Sequence, residues 1–292
     1  MTTATYLTAN IAYGFGGMDR LGCSLRHQLH IHGWGALTYK VFPSFRGRTA
    51  RLSAAKRTKH VREHGNLGST LGMVERAQPD LLVLNEVIYE FYREELEHSL
   101  QQMGFRSIAW GLSTHYPGTS LSTLVASKEP GIPIPCVMPQ RPCMGGGAGM
   151  AGLRLLDTSR AVFGVHLTYR SPALFTRQLE YIVQTAAAEQ SRGQRVILGG
   201  DWNESSHTVI RAANFKSLSL ISAALMEPAT CPTFLPKSFR KPLDHIFIPS
   251  YWQSISSNAI EFGSDHLALA VEVRENEFTH EVNGISTVTS GT

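Results

Sequence analysis

The apolar and polar positions of this chain alternate with a period that switches between that of strands and that of helices. Tyr6 to Ile11 is a β-branched and apolar run and predicts a strand. Leu67, Leu71 and Val74 fall at helical spacing, and Pro79 closes that element. Leu81 to Leu84 is a compact apolar strand that ends at Glu86, and Tyr92, Leu96, Leu100 and Met103 recur as one face of an amphipathic helix. Ser120 to Arg160 reads as short strands joined by loops, with Gly145-Gly146-Gly147 suiting a tight or mobile connection. Arg160 to Leu167 is another strand and carries His166. Phe175, Leu179, Ile182, Val183 and Ala186 form one helical stripe, and Arg195 to Gly199 is a strand running into Asp201. Leu243–Ile248 and His266–Val273 are the last strands predicted. Strands outnumber helices and no internal repeat or second core is evident, so residues 1–273 predict one two-sheet sandwich flanked by helices. Residues 274–292 are rich in Ser, Thr and Gly and read as a disordered tail.

Composition narrows the class. With 42% hydrophobic and 17% charged residues in a chain of 292, the sequence is globular and long enough for a sizeable core. Its net charge of +4 favours anionic partners only weakly. The four cysteines, Cys23, Cys136, Cys143 and Cys231, form no CxxC pair and no zinc-spaced cluster with histidine, which fits reduced thiols. No apolar stretch is long enough to span a bilayer, and the first residues lack the basic start and apolar core of a signal peptide. These features predict a soluble, cytoplasmic protein.

Candidate chemistry sits where the predicted strands end. Asn10, Glu86, His166, Asp201 with Asn203, Asp244 with His245, and Asp265 with His266 all lie at such positions. A phosphodiester repels nucleophiles, so its hydrolysis needs a cation on the phosphate oxygens, an activated water and help for the leaving group. Mg²⁺ takes hard oxygen ligands and keeps several waters, and Glu86, Asp265 and Asn10 supply such a set. In Gly200-Asp201-Trp202-Asn203 the carboxylate and the amide are two apart, hence on one face of an extended segment. A histidine beside an aspartate, as in Asp265-His266, can contact a phosphate oxygen, and Asp244 could fix that ring in one tautomer and keep it cationic. Each residue alone reads more readily as a turn, cap or core group; the ordered set is what points to phosphoester hydrolysis.

The stretches LTANI (7–11), PDLLVLNEV (79–87), GVHL (164–167), GGDWN (199–203), TFLP (233–236) before LDHIF (243–247), and GSDH (263–266) resemble, in content and order, the endonuclease/exonuclease/phosphatase superfamily with its deoxyribonuclease-I-like fold. The resemblance runs over about residues 5–273. It implies an α+β, four-layer αββα sandwich of two packed mixed β-sheets flanked by helices, with the site at one rim. It also implies a metal-dependent phosphodiesterase or nuclease using Mg²⁺, or Mn²⁺ in its place. By position, Glu86 is implied as principal metal ligand, with Asn10 and Asp265 near the metal. Asp201 is implied as general base or water-aligning residue, Asn203 and His166 as phosphate contacts, and His266, oriented by Asp244, as a group that contacts or protonates an oxygen. Asn85 stands where relatives commonly have Gln, and Trp202 where they often have Phe. Ala12 replaces the acidic residue of abasic-site repair enzymes, and His166 stands where those enzymes have a different phosphate-contacting set; both argue against that specialisation.

Substrate choice rests on loops. From Lys40 to Arg62 there are eight Lys/Arg and no Asp or Glu. Arg51, Lys56, Arg57 and Lys59, with Arg170, are candidate contacts to an anionic substrate such as nucleic acid; a solvated helix face explains the run equally well. The alternatives to a nuclease are a hydrolase of phospholipid, inositol phosphate or a small phosphoester and, more remotely, a non-catalytic binding module.

Overall fold

The computed structural model describes residues 2–11, 65, 67–112, 121–139, 149–169, 171–212, 215–226, 228–231 and 240–276. The basic 40–62 segment, Gly145–Gly147 and Arg170 lie outside them. The described elements are β1 (Thr2–Asn10), α1 (Gly68–Ala77), β2 (Leu81–Ile88), α2 (Tyr89–Gln102), β3 (Ser107–Leu112), β4 (Leu121–Ser127), β5 (Gly131–Pro133) and β6 (Gly149–Leu155). They continue with β7 (Arg160–His166), α3 (Pro172–Ser191), β8 (Arg195–Asp201), α4 (Ser206–Arg211), β9 (Leu220–Ser222), β10 (Asp244–Pro249), β11 (Gln253–Ile260) and β12 (Ala268–Glu275). The last strand runs two residues past the boundary read from the sequence.

Period-two alternation sorts the strands into two sheets and three apolar layers. Leu82, Leu84 and Leu124 face α1 and α2, alongside Leu96 and Leu100. Leu81, Val83, Val125, Val162, Ile197 and Ile246 meet between the sheets. Phe163, Val165, Leu198 and Phe247 face α3 with Ile182 and Ala186. The result is the αββα order expected. The sheets run β11-β12-β1-β2-β4-β3 and β5-β6-β7-β8-β10-β9. In each, one parallel pair (β1 with β2, β7 with β8) is set among antiparallel neighbours. The two orders match strand for strand, a repeat of topology that the sequence does not display.

Strands β3, β9 and β11 and helix α4 carry no clear apolar period. β11 (QSISSNAI) is an edge strand, half-buried to exposed along its length, so nothing selects one apolar face. α4 is short and held by its cap, the Ser205 side chain accepting from Thr208 N.

At the end of the sandwich remote from the strand tips that carry the candidate chemistry, Arg160 on β7 is buried in ion pairs with Glu275 of β12 and Glu129. The Tyr6 hydroxyl donates to the same Glu275 carboxylate. This cluster joins β1, β7 and β12 across the two sheets. Removing one partner leaves a buried charge uncompensated, so Arg160→Met should destabilise the fold by about 3 kcal/mol or more in urea denaturation. A loss below about 1 kcal/mol, the scale of an exposed pair, would show that the cluster adds no more than a surface contact.

Candidate active site

The inward-facing positions of the central strands are apolar along most of their length and turn polar together at one rim. Tyr6 gives way to Asn10 on β1, Val83 to Asn85 on β2, Val162 to His166 on β7, Ile197 to Asp201 on β8, and Ile246 to Asp244 on β10. Pairing places His166 opposite Asp201, Asp201 opposite Asp244, and Asn10 opposite Asn85. Alternation alone would send Glu86 to the helix side. A β-bulge prevents this: Leu84 pairs with Leu124 and Val87 with Ser122, so Asn85 and Glu86 share the position opposite Thr123. Glu86 takes a left-handed φ of 57° at this bulge, an uncommon conformation for a side chain of its size.

Asp201 is the hub. Its Oδ2 accepts from Asn10 Nδ2 at 2.9 Å and lies 3.7 Å from His166 Nε2 and 3.8 Å from His266 Nε2. Its Oδ1 accepts from the Asn203 N–H at 2.9 Å. His166 Nε2 is also 3.8 Å from Glu86 Oε1. The gaps of 3.7–3.8 Å exceed hydrogen-bond length, so these groups face one another without bonding directly. His266 Nδ1 and Asp244 Oδ2 are 2.7 Å apart, and both residues are buried. Ser264 fixes the turn that carries Asp265 and His266: its hydroxyl donates to Asn10 O at 2.7 Å and accepts from His266 N at 3.2 Å. Thr230 Oγ1 accepts from Asp244 N at 3.3 Å, while Thr230 O accepts from Leu267 N at 3.0 Å. It thus ties β10 to the same turn. Neither Ser264 nor Thr230 is distinguishable by residue type in the sequence, although Ser264 lies inside the GSDH stretch.

Two site amides have their side-chain nitrogens engaged within the protein. Asn10 spends its nitrogen on Asp201 and also donates to Glu86, so only its Oδ1 could serve as a metal ligand. Asn203, at φ 53°, donates its side-chain nitrogen to Leu167 O at 2.8 Å, which holds the end of β7. The candidate substrate contacts Arg51, Lys56, Arg57, Lys59 and Arg170 are outside the described residues. Among the described residues, Lys241 pairs through its backbone with Cys231, whose side chain lies beside His266.

The electrostatics fit a cation. Burial pushes the Glu86 carboxyl up to about 8; nearby Asp265 and Asp201 add to this, while His266 and the Asn10 hydrogen bond oppose it. Its side chain remains 20% exposed, so one side is open to entry from solvent. A divalent cation is the natural counter-charge for carboxylates gathered in this way. Asp201, Asp244 and His266 also bring one ligand atom each within 4.8 Å of one another. Asp244, however, is already engaged with the imidazole, which makes that trio a poorer cation site than Glu86 with Asp265. For His266, burial opposes the charge, but the neighbouring Asp244 and Asp201 outweigh it and hold the ring well above the ordinary histidine value. The Cys231 thiol, pushed up to about 11 by burial, is neutral near pH 7, so the two aspartates do the raising. Burial raises Asp244 as well, while His266 lowers it. The ring, flanked by two aspartates, is the better seat for the proton of this pair.

A sequence model described as the endonuclease/exonuclease/phosphatase family matches residues 61–266. No curated protein matches the chain in sequence. Among solved structures, a protein of that family from Leptotrichia buccalis C-1013-b is 14% identical, with a TM-score of 0.58 over 93% of this chain and 100% of its own. ANGEL2, a 2′,3′-cyclic phosphatase, is 14% identical, with a TM-score of 0.57 over 93% of this chain and 95% of its own. A humanized D. rerio TDP2 is 12% identical, with a TM-score of 0.52 over 94% and 99%. At such identities these structures establish the shared fold.

A Glu that keeps its proton in the fold to about pH 8, but releases it near 4.5 when unfolded, makes stability fall as pH rises between those values. His266, with its raised pKa, also contributes stability that is present below about 6.5 and lost as pH rises through its folded value, so Glu86 must be isolated by mutation. In EDTA, the wild type should lose stability more steeply than Glu86→Gln between pH 5 and pH 8, with saturating Mg²⁺ removing most of the difference. Equal slopes in urea denaturation would show that Glu86 is ionised in the metal-free fold.

Proposed function

The chain belongs to the endonuclease/exonuclease/phosphatase family, and on that premise we propose that it is a divalent-metal-dependent phosphodiesterase, with nucleic acid as its first substrate class. The observation that carries this reading is the convergence of Asn10, His166 and His266 on one Asp201 oxygen, beside Glu86 and Asp265.

Glu86 and Asp265 would hold the cation, with Asn10 Oδ1 as a further oxygen. When bound, Mg²⁺ or Mn²⁺ supplies positive charge to the phosphate oxygens and to the leaving oxygen. Asp201, its carboxylate pinned by Asn10 and Asn203, takes the proton from the attacking water or aligns it. His266, with Nδ1 toward Asp244, presents Nε2 to a phosphate oxygen as a cation. His166 Nε2 faces the same space between Asp201 and Glu86 and supplies a second contact. Asn203 acts chiefly through its backbone N–H on Asp201. All of these groups lie at the rim of a rigid sandwich, so little reorganisation accompanies reaction.

Small phosphoesters are the second reading, and a 2′,3′-cyclic phosphate, the substrate class named for ANGEL2, belongs with them. Plasmid DNA, RNA, a cyclic nucleotide phosphate, sphingomyelin and bis(p-nitrophenyl) phosphate, each with Mg²⁺, separate the classes. Turnover of lipid or small esters without nucleic-acid cleavage would remove the first. Glu86→Gln and Asp201→Asn should each lower turnover at least ~100-fold, the lower end of what a positioned acid–base group contributes. Near-wild-type rates in either folded variant would mean that the assignment is wrong.

A further inference from the structure

Asn85 is fully buried and stands one residue before Glu86, yet the chemistry above gives it no part. Its surroundings are unusual. The Leu167 N–H donates to Asp201 O at 3.0 Å, which sets the phase of the parallel ladder between β7 and β8. In that phase the next rung back should run from the Asp201 N–H to Val165 O. The Asn85 carboxamide reaches both ends of that rung. The Asp201 N–H donates to Asn85 Oδ1 at 3.0 Å, and Val165 O accepts from Asn85 Nδ2, also at 3.0 Å. The carboxamide of a strand in one sheet thus bonds directly to the backbone ladder of the other. A further bond, from Nδ2 to Thr123 Oγ1 at 3.0 Å, fixes its rotation.

Gly200 makes this close contact possible. Its φ is 140°, and a Cβ there would lie 2.0 Å from Val165 O of β7. No other residue type fits this conformation.

We infer that Asn85 is a positioning residue for Asp201: by bonding both the Asp201 N–H and Val165 O it locks the backbone from which the Asp201 carboxylate is aimed at the reacting water. This rests on the Asp201 role proposed above. Asn85 never reaches the substrate; its effect passes entirely through the Asp201 peptide. Substrate binding and cation binding therefore do not depend on it, whereas the chemical step does.

The test uses bis(p-nitrophenyl) phosphate with saturating Mg²⁺ and four variants: Asn85→Leu, Asn85→Gln, Asp201→Asn and the double variant Asn85→Leu/Asp201→Asn, with folding checked by thermal denaturation. Asn85→Leu keeps the volume and removes both hydrogen-bonding groups; its kcat should fall at least ~30-fold with KM changed less than about 3-fold. Asn85→Gln keeps donor and acceptor on a longer stem and should retain more activity than Asn85→Leu, the reverse of what a packing role predicts. Added to Asp201→Asn, Asn85→Leu should lower the residual rate by less than about 2-fold, because the two act as one unit. The inference is overturned if folded Asn85→Leu keeps wild-type kcat while Asp201→Asn is inactive, if Asn85→Leu outperforms Asn85→Gln, or if the two substitutions multiply. Should Asn85→Leu not fold, the Asn85→Gln kcat and KM decide: a raised KM with unchanged kcat overturns the inference, and a lowered kcat with unchanged KM supports it. A fully active Asp201→Asn removes the Asp201 role itself, and this inference with it.

Discussion

The two sheets approach so closely beneath the site that a side-chain amide from one becomes part of the backbone hydrogen bonding of the other. Glycine allows this approach. A Cβ at Gly164 would stand 2.8 Å from methyl groups of Thr123 and Val125, and one at Gly199 would stand 3.3 Å from Val83. The inter-sheet layer is therefore filled from the first sheet alone at this level, and Asn85, next in line after Val83, lands on β7 and β8. A buried amide with all its groups satisfied is rigid, and its loss takes a partner from two backbone groups and a hydroxyl at once. Asp201 inherits that rigidity through its own N–H.

Around this point the site gathers groups that repel one another. Glu86, Asp201 and Asp265 lie close together, and burial adds to the cost of charging Glu86. The fold holds them with donors that cannot leave: Asn10, the Asn203 N–H and a cationic His266 backed by Asp244. Such an arrangement is poor for stability and good for a cation and an anionic substrate. At the other end of the sandwich, Arg160, Glu275 and Glu129 form a buried cluster whose charges are paired within the protein. One end is electrostatically closed and the other remains open to a ligand.

The matching strand orders explain why the site draws on both sheets so evenly. Asn10 ends β1 as His166 ends β7, Asn85 and Glu86 lie on β2 as Asp201 ends β8, and Thr123 lies early on β4 as Asp244 opens β10. Each half presents its polar strand tips at the same rim. The halves differ in what those tips carry: amides and a hydroxyl, together with Glu86, on one side; acids and imidazole on the other.

The sequence by itself determined the strands with an apolar period, the helices facing them, and the identity of most site residues, because local alternation and residue chemistry are written along the chain. Asn10, Glu86, His166, Asp201, Asp244 and His266 are recognisable as a set since each ends a predicted strand. Only the tertiary structure decided which way they face and what they touch. The bulge that turns Glu86 inward depends on pairing with β4, and the role of Asn85 depends on a strand eighty residues away. In sequence Asn10 reads as a metal ligand and Asn203 as a phosphate contact; the structure adds that their nitrogens bond Asp201 and Leu167, because a buried amide must satisfy the partners that packing supplies. Edge strand β11 was invisible for the converse reason: with no face buried against a layer, it needs no pattern, and only its backbone pairing with β12 makes it a strand.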